Sequence, residues 1–289
     1  APLVIIEGDE YLSSPLDLRS KFLWYQPHIS IITGIAYDHI NVFPTFESYL
    51  ETFDKFIKSH ADGGKYFWFK KDQYLDKMAN ANHTINQTYD TPEFISNRNG
   101  SKLYINETEH EVSVVGKHNL ENLKAAELVC KELGITTNRF YEAASSFTGA
   151  GRRMEKIVDL PNQVVYRDFA HSPSKLKATT EAVKETYTGK LLAVFELHTF
   201  SSLTEDFLPL YKNAMDSADR AIVFYSEAIF THRKMKVLTP EYVRKCFGEV
   251  EVINHPNELE SIVNSAFNEK QNILLMSSGK FEGSSFSFD

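Results

Sequence analysis

The sequence predicts an α/β protein of two domains, the second built on an open, doubly wound and mostly parallel sheet. Three observations predict it. After Gly149-Ala150-Gly151, short β-branched runs alternate with helical stretches, the pattern that lays helices on both faces of a parallel sheet. Ahead of that glycine hinge the texture is less regular: two apolar runs, one clear helix face and an aromatic, turn-rich section. The 289 residues, 42% hydrophobic and 24% charged, suffice for two ordinary globular cores. The domains are therefore expected over 1–150 and 151–289.

Taken in order, residues 3–6 (Leu-Val-Ile-Ile) and 29–33 (Ile-Ser-Ile-Ile-Thr) read as buried parallel strands, being short and β-branched. Over 45–57, Phe46, Tyr49, Leu50, Phe53 and Ile57 recur at three and four and define one apolar helix face. Residues 65–115 hold aromatic and alternating runs split by turn residues such as Asn99-Gly100, which predicts a small mixed or antiparallel section. A helix over 119–133 is closed by Gly134, and a shorter one covers 138–147. In the second domain, strands are expected at 164–169, 191–197, 220–225, 249–253 and 273–276. Helices are expected between them at 174–187, 204–217, 239–247 and 257–268.

The net charge of −8 argues against an extended nucleic-acid surface and leaves room only for local basic pockets. Cys130 and Cys246 lie far apart in helical stretches, as reduced thiols of a cytoplasmic protein would. There is no charged-then-apolar leader and no apolar run near the ~18 residues of a membrane span, so no membrane partner is expected. Without a leader, the Asn-x-Ser/Thr triplets at Asn82, Asn86, Asn99 and Asn106 read as chance. A chain opening directly on a strand reads as a truncated protein. Gly63-Gly64-Lys65 and Gly279-Lys280 lack the flanking glycine and following Ser or Thr of a phosphate loop.

Several short segments carry possible chemistry. Glu7, Asp9 and Glu10 follow the first expected strand at its carboxyl end, where open α/β sheets place ligands. Carboxylates so close repel one another unless a cation or solvent intervenes, so a metal site and a solvated acidic turn both remain open. His39, beside Asp38, suits a divalent ion such as Mg²⁺ or Mn²⁺, or a structural pair. Asn119 and Asn122 share a helix face, and their amides match the donor and acceptor of an adenine edge. Plain N-capping by Asn119 is the simpler alternative. Arg152-Arg153 offers a guanidinium fork for phosphate, or merely a solvated basic pair. Asp168 ends a strand and His171 follows in a tight turn before Pro173; both residue types also serve as ordinary caps.

In their order and spacing these segments resemble the Mur ligases, ATP-driven enzymes that build the peptide stem of bacterial cell-wall precursors. The residues that carry the resemblance are Ile6-Glu7-Gly8-Asp9-Glu10, Tyr37-Asp38-His39 and Gly116-Lys117-His118-Asn119-Leu120-Glu121-Asn122. Gly151-Arg152-Arg153-Met154-Glu155 and Arg167-Asp168-Phe169-Ala170-His171-Ser172-Pro173 complete it. It covers part of the family's ATP-binding central domain and all of its Rossmann-like C-terminal domain. A phosphate loop and a uridine-binding domain would both lie upstream.

The resemblance implies Glu7 and His39 as ligands of Mg²⁺ (or Mn²⁺). It implies His118, Asn119 and Asn122 around the adenine of ATP, Arg153 at phosphate or ribose, and Asp168 on ribose. Glu7, His39, Arg153 and His171 would serve catalysis. The block from Glu7 to Tyr11 and from Arg19 to Pro27 is most similar to the branch that joins L-alanyl-γ-D-glutamyl-meso-diaminopimelate to UDP-N-acetylmuramate in peptidoglycan recycling. L-alanine ligation to the same acceptor, or a non-catalytic nucleotide- or peptide-binding module, are the alternatives. The implied reaction passes through an acyl phosphate that the amine attacks. Glu196-Leu197-His198-Thr199-Phe200-Ser201 departs from the family's proline and arginine there, and His198 and Ser201 are the expected contacts to the amine substrate.

Overall fold

The computed structural model describes residues 3–288, which form two compact units interleaved in sequence. One comprises the residues through Pro92 with Glu121–Tyr141; the other comprises Glu93–Leu120 with the residues from Glu142 onward.

In the first unit, β1 (Leu12–Ser14) and β2 (Asp17–Ser20) form a short antiparallel hairpin. They are followed by β3 (Ile29–Ile32), α1 (Phe46–Lys58), β4 (Lys65–Phe69), α2 (Gln73–Ala81) and β5 (Ile85–Tyr89). The last three strands pair in parallel in the order β3-β4-β5. Both helices start at a side-chain cap: Thr45 Oγ1 accepts the Ser48 N–H at 3.2 Å, and Asp72 Oδ1 accepts those of Tyr74 and Leu75 at 2.9 and 3.0 Å. Tyr49, Phe53, Phe56 and Ile57 of α1 pack with Ile32, Tyr66, Trp68 and Leu75 into one core. Successive strand residues face opposite ways, so Phe67 and Tyr89 serve the other side of the sheet. There they meet Ala125 and Leu128 of α3 (Lys117–Glu132), which α4 (Thr137–Ala144) follows.

In the second unit, β6 (Glu93–Asn97), β7 (Gly100–Ile105) and β8 (Thr108–Val112) make an antiparallel sheet. Its larger sheet starts with β9 (Glu155–Leu160), β10 (Gln163–Asp168), α5 (Pro173–Thr186) and β11 (Leu191–Glu196). β12 (Arg220–Phe224), α6 (Glu227–Arg233), α7 (Pro240–Phe247), β13 (Glu251–Ile253), α8 (Pro256–Asn268) and β14 (Asn272–Met276) complete it. The strand order is β13-β12-β11-β14-β10-β9, parallel throughout except that β9 runs against β10. Leu192, Val194, Ile222, Phe224, Ile273 and Leu275 pack under Leu259 and Val263 of α8. Because β14 returns between β11 and β10, the strand order turns there, and the loops after β11 and β14 part at their carboxyl ends.

Several expectations are corrected. Residues 3–6 form no strand, and Leu3, Val4, Ile5 and Ile6 are all exposed, because a β-branched run needs a free strand edge to supply its hydrogen bonds and none of the described strands pairs with it. The expected mixed section over 65–115 divides into parallel β4 and β5 and antiparallel β6 to β8, but it also holds the unexpected helix α2, whose apolar face is obscured in a run rich in asparagine. Over 204–217 no α-helix forms. Pro209 lacks the N–H an α-helix would need and Asn213 is left-handed at φ 60°, so the segment keeps only short 3-10 turns such as Leu208–Tyr211. The hairpin β1–β2, β9 and α6 were not anticipated. Cys130 and Cys246 are free, and among the described residues no helix is long and apolar enough to cross a membrane.

Candidate functional site

In the second unit Asp168, at the end of β10 and 4% exposed, gathers two loops. Its Oδ2 accepts the Met154 N–H at 2.6 Å, while Oδ1 accepts the Ala170 N–H at 2.7 Å and faces the Thr179 hydroxyl at 3.4 Å. Arg152 (φ 59°) and Met154 (φ 46°) are left-handed, a conformation that costs on the order of 1 kcal/mol per residue. The Asp168 bond and the burial of the Met154 side chain hold them there. Between them Arg153 reaches solvent, its guanidinium 5.4 Å from the centre of the Phe169 ring.

His118 lies in the first turn of α3, half-buried, with Nδ1 shielded and given no hydrogen bond by the described residues. Enclosure pushes its pKa below the usual imidazole value; the Asp168 charge opposes this and Arg153 reinforces it. A neutral ring results at neutral pH. Gly116 (φ 91°) makes room for it: a Cβ there would sit 2.9 Å from Ala182 Cβ and 3.1 Å from His118 Cε1. Asn119 donates its side-chain amide to the Val115 carbonyl at 2.8 Å, so it fastens the loop ahead of α3. Asn122, one turn on, is exposed. His171 Nδ1 is 2.9 Å from the Phe169 carbonyl, and its own carbonyl accepts the Tyr211 hydroxyl at 2.5 Å. A neutral imidazole, a guanidinium and a buried carboxylate thus converge around His118, Arg153 and Asp168, a set suited to a nucleotide's sugar and phosphate.

In the first unit His39, at φ 56°, takes the Asp38 carboxylate on its N–H at 2.7 Å. Its Nε2 lies 3.6 Å from Glu10 Oε1, which also accepts the Tyr49 hydroxyl at 2.9 Å. Tyr11 covers the imidazole edge-on at 5.1 Å. Lys21 bonds Asp9 at 2.5 Å; burial would raise the Asp9 pKa, but the bonds from Lys21 and the Tyr11 N–H outweigh it and hold the carboxyl below its usual range. Glu7 is exposed, and the residue brought to the imidazole is Glu10, a member of the same acidic run that the resemblance did not single out as a ligand. No group of three His, Cys, Asp or Glu converges among the described residues. That donor set fits a Mg²⁺ that keeps water and takes phosphate oxygens, rather than an ion enclosed by protein alone.

The third feature is a cavity of about 430 Å³ over the carboxyl ends of β11, β12 and β14 in the second unit, lined by Arg152, Glu196, His198, Ser278, Gly279 and Lys280 among others. Glu196 is 5% exposed, and its Oε2 accepts the Ser277 hydroxyl and, at 2.9 Å, the Phe281 N–H. His198 Nδ1 lies 3.4 Å from the Ser278 hydroxyl. Ser201 is buried, and neither it nor His171 belongs to the lining. Sequence reasoning missed Glu196, Gly279 and Lys280 as site residues; the available signal was a carboxylate ending an otherwise apolar strand.

Similarity to known families divides the chain near residues 130–152, so Glu93–Leu120 falls in the first match although it clusters with the second compact unit. Residues 4–130 match the Mur ligase middle domain, and residues 152–279 match the Mur ligase, glutamate ligase domain. The chain is 30% identical over 234 residues to a UDP-N-acetylmuramate–L-alanine ligase of Caldicellulosiruptor bescii, covering 76% of this chain and 50% of that protein. It is 29% identical to a UDP-N-acetylmuramate–L-alanyl-γ-D-glutamyl-meso-2,6-diaminoheptandioate ligase of Haemophilus influenzae, covering 68% of this chain and 46% of that one. A murein peptide ligase from Psychrobacter arcticus shares the fold at a TM-score of 0.63 and 22% identity, over 96% of this chain and 60% of that structure. The chain spans about half the length of these two curated relatives.

Proposed function

The chain belongs to the Mur ligase family, and on that premise we propose that the protein of which it forms part is an ATP-dependent ligase that joins an amine to UDP-N-acetylmuramate. ATP phosphorylates the lactyl carboxylate, the amine attacks the resulting acyl phosphate, and phosphate leaves. Such chemistry depends on positioning and on neutralised phosphate charge. The observation that carries the reading is the convergence of His118, Arg153 and Asp168 in one unit, with the family match on both sides of it. Arg153 draws the phosphates, Asp168 and the neutral His118 ring line the nucleoside, and Asn119 and Asn122 stand at the adenine. Glu7 and His39, with Glu10 beside the ring, would hold a Mg²⁺ or Mn²⁺ ion, which would supply positive charge to the phosphates. The reaction belongs in the cytoplasm, where ATP and the UDP-linked precursor meet.

The amine enters at the strand-end cavity beside His198. Its volume of about 430 Å³ supports a peptide, and so the tripeptide of peptidoglycan recycling. L-alanine is the second reading, favoured by the curated relatives that carry that name. The full-length protein, given ATP, Mg²⁺ and UDP-N-acetylmuramate with either amine, should release phosphate and yield the amide found by mass. Phosphate release with neither amine would overturn the ligase reading.

A further inference from the structure

We propose that Glu196 recognises the ammonium group of a zwitterionic α-amino-acid centre, with Arg152 and Lys280 of the same cavity receiving its carboxylate. This rests on the ligase reading and narrows the amine substrate to one that carries such a centre, as L-alanine and the diaminopimelate end of the tripeptide both do.

Glu196 ends β11 where the strand order turns, and it is 5% exposed. One of its oxygens is fully engaged. The Gly279 N–H donates to Ser277 Oγ at 2.7 Å, the Ser277 hydroxyl donates to Glu196 Oε2, and the Phe281 N–H donates to the same oxygen at 2.9 Å. The other oxygen receives no hydrogen bond from the described residues, no described cation pairs with the carboxylate, and the side chain lines the cavity. A buried carboxylate without a counter-charge is unfavourable, and a cation entering the cavity would relieve it.

The loop that wraps this carboxylate is strained for the purpose. Phe281 (φ 49°) and Glu282 (φ 52°) are both left-handed without being glycine, and that geometry presents the Phe281 N–H to Glu196. A side chain at Gly279 would have to displace its neighbours. A Cβ there would lie 2.5 Å from His198 Cδ2 and 2.8 Å from Glu196 Oε2, so bare backbone closes over both groups. A loop that needed only an acceptor for two donors could use a neutral amide; retaining the charge points to a cationic partner. Arg152 and Lys280, both exposed and lining the same space, supply the opposite sign for a carboxylate.

The test is calorimetric or NMR titration of the 289-residue chain with the tripeptide and with L-alanine, each beside its N-acetylated form. At least one free amine should bind, and N-acetylation of every amino group should abolish binding on the unaltered protein. Glu196→Gln keeps an acceptor for Ser277 and Phe281 and removes only the charge. It should weaken binding about ten- to a hundredfold, as loss of a charged hydrogen bond does. Acetylated ligands that bind as tightly, an unchanged affinity in Glu196→Gln, or no binding of either amine would each overturn the proposal. Turnover by the full-length protein is a separate measurement. Its failure alongside Glu196-dependent amine binding would remove the ligase reading and leave the recognition site standing.

Discussion

Asp168→Ala removes the acceptor that ties two loops together. Two N–H groups depend on it, those of Met154 at 2.6 Å and Ala170 at 2.7 Å, and the two residues are 8% and 1% exposed. Each buried donor left without a partner costs about 1–3 kcal/mol, which sets a range of about 2–6 kcal/mol. Relief of the buried charge offsets part of this, so the expected loss is about 3 kcal/mol, a large share of the ~5–15 kcal/mol that holds an ordinary domain. Urea unfolding followed by fluorescence should show the midpoint falling with an unchanged slope. Asp168→Asn, which keeps one acceptor oxygen but turns an NH₂ toward the other donor, should lose roughly half as much. An alanine variant within about 0.5 kcal/mol of the parent would refute the reasoning, since that is the range of ordinary surface substitutions. So would an asparagine variant less stable than the alanine one.

Burial lowers the His118 pKa, so the unfolded chain binds the proton more readily than the folded one. Its stabilising contribution is complete above the ordinary imidazole value of about 6.5 and is lost as pH falls below it; His118→Gln should flatten the fall in stability between about pH 7 and 5, and a parallel profile would contradict this. His60, whose pKa burial also lowers, should supply the slope that remains. Gly279→Ala forces a Cβ to within 2.5 Å of His198, so it should lose about 1–3 kcal/mol by thermal or urea denaturation; a neutral outcome would mean that the loop moves freely. In the full-length protein, Glu7→Ala and His39→Ala should each weaken Mn²⁺ binding at least about tenfold by electron paramagnetic resonance, and Glu10→Ala should weaken it less by loosening the imidazole; an unchanged titration removes the residue concerned from the metal site. The 289 residues contain no Gly-x-x-x-x-Gly-Lys-Ser/Thr segment, so this chain alone should release no phosphate above background from ATP, UDP-N-acetylmuramate and amine.

The sequence by itself determined the parallel sheet of the second unit. β10, β11, β12 and β14 are short runs buried on both faces, so their apolar content is continuous and legible without neighbours. It also determined α1, because Phe46, Tyr49, Leu50, Phe53 and Ile57 mark a helix period whatever they pack against. His118, Arg153 and Asp168 were named from sequence through the motifs that carry them, and they are neighbours in the fold.

Tertiary structure alone decided what depends on partners. The apolar residues 3–6 look like a strand, yet a strand exists only through pairing, and none of the described strands pairs with them. Residues 204–217 look helical by composition, but Pro209 and the left-handed Asn213 break them into turns buried against the sheet. The acidic run near residue 7 could not reveal which carboxylate meets His39, because that depends on Tyr49 of α1 fixing Glu10 in place. Glu196 and Gly279, 83 positions apart in the chain, meet only because β14 returns beside β11. Residue type and local period are written along the chain, whereas proximity between distant segments exists only after the strand order has been chosen.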